Sequence, residues 1–599
     1  MNFKDFCYSN FGWIGHRLFK FFKDLDKDLD AANMKIAPEV YLSVVGFWAV
    51  CSSVIPLSFL LLFLLGNAGV GLPFPLSLLF SSGSLAAPIF LSISCTIPLL
   101  VILIGVIMPK FSASNRVTWL KIEIPYASMY MSVMSSGGLS PYESLLRMRK
   151  IDLLPHLRDE VSRIQALTVS TGSDPVSAME KAARVVDVKD YKDLILGYAS
   201  TMRTGGDVLH YLYNQTTNMF RGLSTRIKAL GETMGMLMEA YTIVAILGAL
   251  GLFLIFVVSM SMPSMGMSFS PEMFFLFSFV VLPILSFVFI FFADVAQISY
   301  PLSNWKTYMI FLAFLPVGIF LVLQMSFSFL FPQLLLVQGL QDFTVYLQKL
   351  LGFSEGCDAA LGLGLALILT AVPGYWADKR YAGQESRILQ GVTTFLRDIV
   401  ETRKTGLSPE RCIQALGKKD YGAFSKHLER ISMKLSWGYP IRSIYEDFRS
   451  RVRDWLSLIN IYLLVDTIEV GGGTEESLEI LADFAENTMM MEKEKRALLM
   501  PLLVVPYMGA AMLTGTTILF LQFFTSMALS GTSIALVSLS RTLLTPLILH
   551  SFLLGLVTGK LISGRISAGF KQGIFLTLIA LIGIWLVPHL SLSTGFGGA

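Results

Sequence analysis

The chain has 599 residues, of which 54% are hydrophobic and 15% charged. A soluble domain carries about 25% charged residues, so this composition excludes a protein wetted over its whole surface; with a mean hydropathy of +0.62, much of that surface faces lipid. The formal net charge of +4 is too small for a nucleic-acid-binding face, and no nucleic-acid partner is expected.

Residues 1–40 are charged from Lys4 through Glu39 and precede the first long apolar run, so no cleavable signal peptide is expected. Within them Phe11, Trp13, Ile14, Leu18, Phe19, Phe21 and Phe22 alternate with His16, Arg17, Lys20 and Lys23. Two readings fit this pattern: a helix lying at the cytoplasmic interface, or an ordinary helix against the bundle.

A spanning helix needs about 20 apolar residues. Candidates run near 41–65, 86–108, 237–262, 273–293, 307–326, 358–376, 500–528, 541–559 and 572–588, about nine in all. Lysine and arginine orient them. The loops 66–86, 263–271 and 528–540 and the tail 588–599 carry no basic residue inside them, Arg541 falls at the outer end of its span, and 327–357 carries only Lys349. Nearly all other basic residues fall in 1–40, 109–236, 295–306, 377–499 and 560–571, and alternating spans put these five segments on one side. The 295–306 loop contributes only Lys306 to this pattern.

The expected organisation follows: a cytoplasmic amphipathic segment 1–40, a transmembrane hairpin 41–108, a first cytoplasmic module 109–236, four transmembrane helices in 237–376, a second cytoplasmic module 377–499, and three transmembrane helices in 500–599 with the C-terminus outside. The class is an all-α polytopic membrane protein.

The spans hold almost no ionisable residue at depth. Glu239, Asp294 and Asp358 sit at span ends, and His550 reads as a packed or hydrogen-bonded histidine. Carriers and channels need intramembrane charge, so transport is disfavoured. Pro56, Pro283, Pro316, Pro373, Pro506 and Pro546 are tolerated in membrane helices. Gly362-Leu363-Gly364 and Gly248-Ala249-Leu250-Gly251 allow close helix approach. Cys7, Cys51, Cys95, Cys357 and Cys412 have no CxxC spacing and read as small packing residues, with no metal site.

No cofactor loop or catalytic set is found, so the protein is read as a non-enzyme with no cofactor. Gly555-Leu556-Val557-Thr558-Gly559-Lys560 looks like a phosphate-binding loop, but it is one residue short and Leu561 stands where serine or threonine would hold magnesium. No HExxH, GxSxG or Cys–His constellation is present.

The modules share a grammar. In the first, Glu123-Ile124-Pro125-Tyr126 opens an apolar helix through Met134, which Gly137-Gly138 ends. Ser140 then caps a helix with Pro141 first and Glu143 three residues after the cap, a capping box. Gly172-Ser173-Asp174-Pro175 restarts the chain, and Gly205-Gly206 ends another helix before Asp207. In the second, an apolar helix from Ile388 to about Thr402 ends at Gly406, and Ser408-Pro409-Glu410-Arg411 repeats the start with the box lost. Gly438-Tyr439-Pro440 matches Gly172-Ser173-Asp174-Pro175. Gly471-Gly472-Gly473, followed by Thr474, matches Gly205-Gly206. Each module is expected to be a bundle of about six helices.

The doubled Gly-Leu-Ser-Pro turn, the later glycine-to-proline restart and the glycine-pair turn resemble the F domain of type II secretion systems, shared with type IV pilus platforms. Two such modules among about nine spans resemble the archaeal branch, with the archaellum platform closest and an adhesion-pilus platform left open. The resemblance implies a multi-pass platform in the cytoplasmic membrane. Its implied partners are a hexameric secretion ATPase, prepilin or archaellin-like subunits, and lipid. A homodimer suits a platform set on a symmetric motor. Docking is expected at charges beside the repeated turns: Glu143, Arg147, Arg149, Lys150 and Asp207 in the first module, and Glu410, Arg411, Glu475 and Glu476 in the second.

Overall fold

A computed structural model describes residues 3–22, 25–32, 34, 36–54, 56–58, 60, 86–172, 174–261, 271–297, 300, 305–471, 473–527 and 533–586. The loops read above at 66–86, 263–271 and 528–540, the tail 588–599 and Gly472 lie wholly or partly outside these residues. The fold is 88% helical, with no strand among the described residues, as the all-α class requires. Nine of the described helices are long and apolar enough to cross a membrane.

The helices are longer than the sequence suggests. Ala86–Ser136, Val208–Ser261 and Asp358–Arg403 each join a span to a polar module without a break. Pro125 therefore does not open a helix; Pro98, Pro109 and Pro125 all lie inside Ala86–Ser136. Proline removes one backbone donor, and the helix continues across all three. Glu475–Leu499 continues through one 3-10 turn, Met500–Leu503, into Val504–Met527.

Contacts divide the chain into two compact units, and the division does not follow the repeat. One comprises Met1–Ala127 and Leu145–Val208, the other Ser128–Ser144 and Leu209–Ala599. In the smaller unit, Phe3–Phe21 runs antiparallel along Pro38–Ser52, with Ile14 against Gly46, Gly15 against Ser43 and the Phe11 ring 5.5 Å from Phe47. The N-terminal helix packs on this neighbour and leaves Phe3, Trp13 and Phe21 exposed. Tyr41 donates to the Gly105 carbonyl at 2.8 Å. Farther along Ala86–Ser136, the buried Glu123 carboxylate accepts from Leu157 N at 2.7 Å and meets His156 Nδ1 at 2.8 Å. It thereby caps helix Pro155–Thr171, whose first amides have no partner of their own.

In the larger unit, Val208–Ser261 lies beside Glu475–Leu499. Phe220 stacks on Phe484 at 5.5 Å, Lys228 pairs with Glu494 at 3.0 Å and Gly231 faces Leu498. The helix Trp455–Glu469 is buried on every side from Trp455 through Ile468, as expected of a helix that is apolar all round.

The spans of this unit are held by glycine. Gly555 and Gly559 on helix Ser533–Ser563 meet Gly573 and Gly569 on helix Gly569–Leu586, and a Cβ at either would fall 2.1–2.2 Å from the opposing backbone. The phosphate-loop look-alike is therefore a small-xxx-small packing motif, and its Lys560 binds Asp294. A Cβ on Gly362 would lie 1.7 Å from the Met325 carbonyl, which belongs to the π-helical stretch Leu323–Phe327. Gly248 faces Leu282, whereas Gly251 faces open space and does not take part in the close approach read for that motif. His550 is buried, and its Nε2 has no hydrogen-bond partner among the described residues, so it is held by packing. Two of the three acids read at span ends are paired: Asp294 with Lys560, and Asp358 with Arg541, whose Nε lies 2.8 Å from Oδ1. Cys7, Cys357 and Cys412 are buried and Cys51 is exposed.

Candidate partner-docking apex

Glycine sets the ends of both modules. Gly138, Gly172 and Gly205 in the first copy, and Gly406, Gly438 and Gly471 in the second, all have positive φ, between 57° and 91°. Only glycine adopts this region without strain. The three pairs keep nearly the same separation along the chain, so the repeat is structural as well as textual.

The two caps also match. Ser140 Oγ accepts from Glu143 N at 3.2 Å, and Ser408 Oγ accepts from Arg411 N at 3.4 Å. Pro141 and Pro409 each begin a helix. At the later turn Thr474 Oγ1 accepts from Ser477 N at 3.2 Å.

In the second module three turns converge on one end. The Pro409 ring contacts Gly473, where a Cβ would fall 2.5 Å from its Cγ. Arg403 joins the two turns, donating from Nε to the Gly473 carbonyl at 2.9 Å and from Nη1 to the Leu407 carbonyl at 2.6 Å. Arg442, just past the Gly438 turn, reaches Glu469 at 3.5 Å and Asp466 at 3.3 Å. The guanidinium also lies over the Tyr462 ring, 4.8 Å from its centroid. Glu410, Arg411, Glu475 and Glu476 therefore share one apex; Glu410 is half-buried and the other three are exposed.

The first-module candidates fall at two places in the chain, around Pro141–Arg147 and just after Gly206. Glu143 is exposed at the start of Pro141–Arg147. Arg147 is half-buried at the end of that helix, and Arg149 and Lys150 are exposed in the 3-10 turn beyond it. Arg149 bonds to Gln165 on the helix whose start is capped by Glu123. Asp207 is exposed directly after Gly206.

The sequence reading missed Arg403, Arg442 and Asp466. Asp466 had a visible signal, as the only acid within the buried run Trp455–Ile468. Its carboxylate accepts from Tyr130 OH at 2.5 Å, and Tyr130 is 0% exposed. Asp454 caps the other end of that helix, accepting from Ser457 N at 2.9 Å. Burial pushes its carboxyl up to about 6, against the lowering effect of the Ser457 bonds, and nearby Glu492 adds to the rise.

These features define a multi-pass, all-helical membrane protein whose polar modules end in glycine-capped turns. Two stretches of the chain, residues 127–256 and 395–522, match the family described as type II secretion system (T2SS), protein F, so the chain contains that domain twice. An uncharacterized protein of Methanocaldococcus jannaschii is 20% identical over 501 residues, covering 80% of this chain and 82% of the relative. No solved structure matches the chain. Domains of this family form membrane platforms of type II secretion and type IV pilus-like systems.

Proposed function

We propose that this protein is the platform of an archaeal type IV pilus-like filament machine, seated in the cytoplasmic membrane with its N-terminus in the cytoplasm. The observation that carries this reading is the doubled F-type domain, each copy joined to its spans by long helices. The role is structural and not catalytic. A cytoplasmic hexameric secretion ATPase docks on the polar modules, with Glu143, Arg147, Arg149, Lys150, Asp207, Glu410, Arg411, Glu475 and Glu476 as the proposed contacts. Motion of the motor passes along the helices into the spans, which move prepilin or archaellin-like subunits from the bilayer into the filament. The archaellum is the favoured filament, with the platform at its rotation axis, and a homodimer fits that position. An adhesion pilus is the second reading, because its platform shares the two-module architecture.

Electron microscopy of a deletion strain, beside a swimming assay, tests this. Loss of filaments together with swimming supports the archaellum. Loss of adhesive pili with swimming intact moves the protein to the pilus. Retention of all filaments, with no paralogue substituting, overturns the platform reading.

A further inference from the structure

We infer that Trp437 and Tyr439 anchor the cytoplasmic partner, and that docking on this duplicated platform is lopsided, carried by the second module. The inference rests on the platform reading and adds the anchor and its asymmetry.

Both rings stand out from the apex. Trp437 is 67% and Tyr439 51% exposed, and their centroids are 6.5 Å apart across Gly438. The backbone between them is firmly held. Trp437 N donates to the Met433 carbonyl at 3.2 Å, Gly438 N to Leu435 at 3.1 Å and Tyr439 N to Lys434 at 3.2 Å. A rigid turn presents its aromatics with little ordering left to lose on binding. Tryptophan and tyrosine, with their large apolar bodies and polar tips, are the residues that dominate protein interfaces.

The position excludes lipid as the occupant. Helix Asp358–Arg403 leaves its candidate span at Tyr381 and continues to Arg403, which at 1.5 Å per residue carries the apex roughly 33 Å beyond the span. The surrounding charge selects among proteins. Glu475, Glu476 and Glu479 are exposed at the start of Glu475–Leu499, and Glu469, also exposed, is held by Arg442 at 3.5 Å. Of the exposed cations beside them, Lys404 is held by Glu401 at 3.2 Å and the other is Arg411. Lys434 is occupied by Asp447 at 3.3 Å. The edge is acidic, so a second copy of this chain would meet like charge. The fitting partner is a protein with an apolar pocket inside a basic rim.

The first module lacks this device. Its corresponding turn reads Thr171-Gly172-Ser173-Asp174-Pro175 and has no aromatic residue, and its exposed apolar residue nearby is Val169, 77% exposed.

The test uses the full-length protein in lipid nanodiscs and the purified secretion ATPase of the source organism as probe. Trp437→Ala and Tyr439→Ala should each weaken binding about tenfold or more, with unchanged circular dichroism. Val169→Ala should leave binding unchanged. Glu475→Lys with Glu476→Lys should slow association at low salt. Wild-type-like binding by the Trp437→Ala/Tyr439→Ala double variant overturns the anchor while leaving the platform reading standing. A Val169→Ala loss equal to that of Trp437→Ala overturns the asymmetry. Absence of ATPase binding by the wild type overturns the platform reading and this inference with it.

Discussion

The Tyr130 hydroxyl donates to the Asp466 carboxylate across 336 residues of chain, and both groups are buried. The bond ties the polar tip of the first copy's long helix to the central helix of the second copy. Asp466 also holds Arg442, so one carboxylate serves both copies.

Removing the hydroxyl by Tyr130→Phe should cost about 1.5–3 kcal/mol, the range for a bond to a charged group. Asp466→Ala should cost more than this, because Arg442 loses a partner as well, although it keeps Glu469. A double-mutant cycle on thermal unfolding in detergent measures the coupling. Additive losses would show that the bond contributes nothing.

Stability should depend on pH through Asp454. Its folded carboxyl is raised from 3.8 to about 6, so between those values the folded state binds a proton that the unfolded state has released. Stability from this group is full below 3.8 and is lost as pH rises through about 6. Asp454→Asn keeps a good helix cap without the charge. The variant should be the more stable at pH 7 and show a flatter unfolding profile from pH 4 to 6. An unchanged profile would remove Asp454 from the account.

The glycine hairpin should be intolerant of bulk. Gly559→Leu forces side-chain atoms into the backbone at Gly569 and should cost at least the 1–3 kcal/mol typical of overpacking. Gly251→Ala, facing open space, should be accepted with less than about 0.5 kcal/mol of change. Melting curves of the two variants side by side provide the check, and equal losses would refute the packing explanation.

Arg403 should matter to both turns it joins. Arg403→Ala leaves the Gly473 and Leu407 carbonyls without these bonds, at about 1–3 kcal/mol. Hydrogen exchange should rise at 404–411 and at 471–477 together. A rise at one turn alone would mean that they are not coupled.

Much of this was legible in the sequence because its causes are local. Gly138 and Gly406 announce helix ends through the conformation only glycine adopts freely, and the apolar runs announce spans through their length. The failures arise where tertiary context decides. Pro125 reads as a helix start, yet in the fold it lies inside a helix. Gly555 to Lys560 reads as no phosphate loop, which holds, but that its glycines pack against Gly573 and Gly569 is invisible without the neighbouring helix. The Arg403 bridge joins positions 70 residues apart, and no spacing rule marks it. The docking charges were proposed from their nearness to turns, and the structure brings Glu410, Arg411, Glu475 and Glu476 to a common apex.

The larger unit takes Ser128–Ser144 and everything from Leu209 onward, which sets a timetable for synthesis. At about 5–20 residues per second, Tyr130 leaves the ribosome roughly 20 to 70 seconds before Asp466 exists. For that interval Ser128–Ser144 waits for its covering helices, with Met129, Tyr130, Met131 and Val133, all buried in the finished fold, uncovered. A translational stall between the copies would leave the smaller unit complete, since all its residues precede Leu209, and Ser128–Ser144 without the helices that bury it.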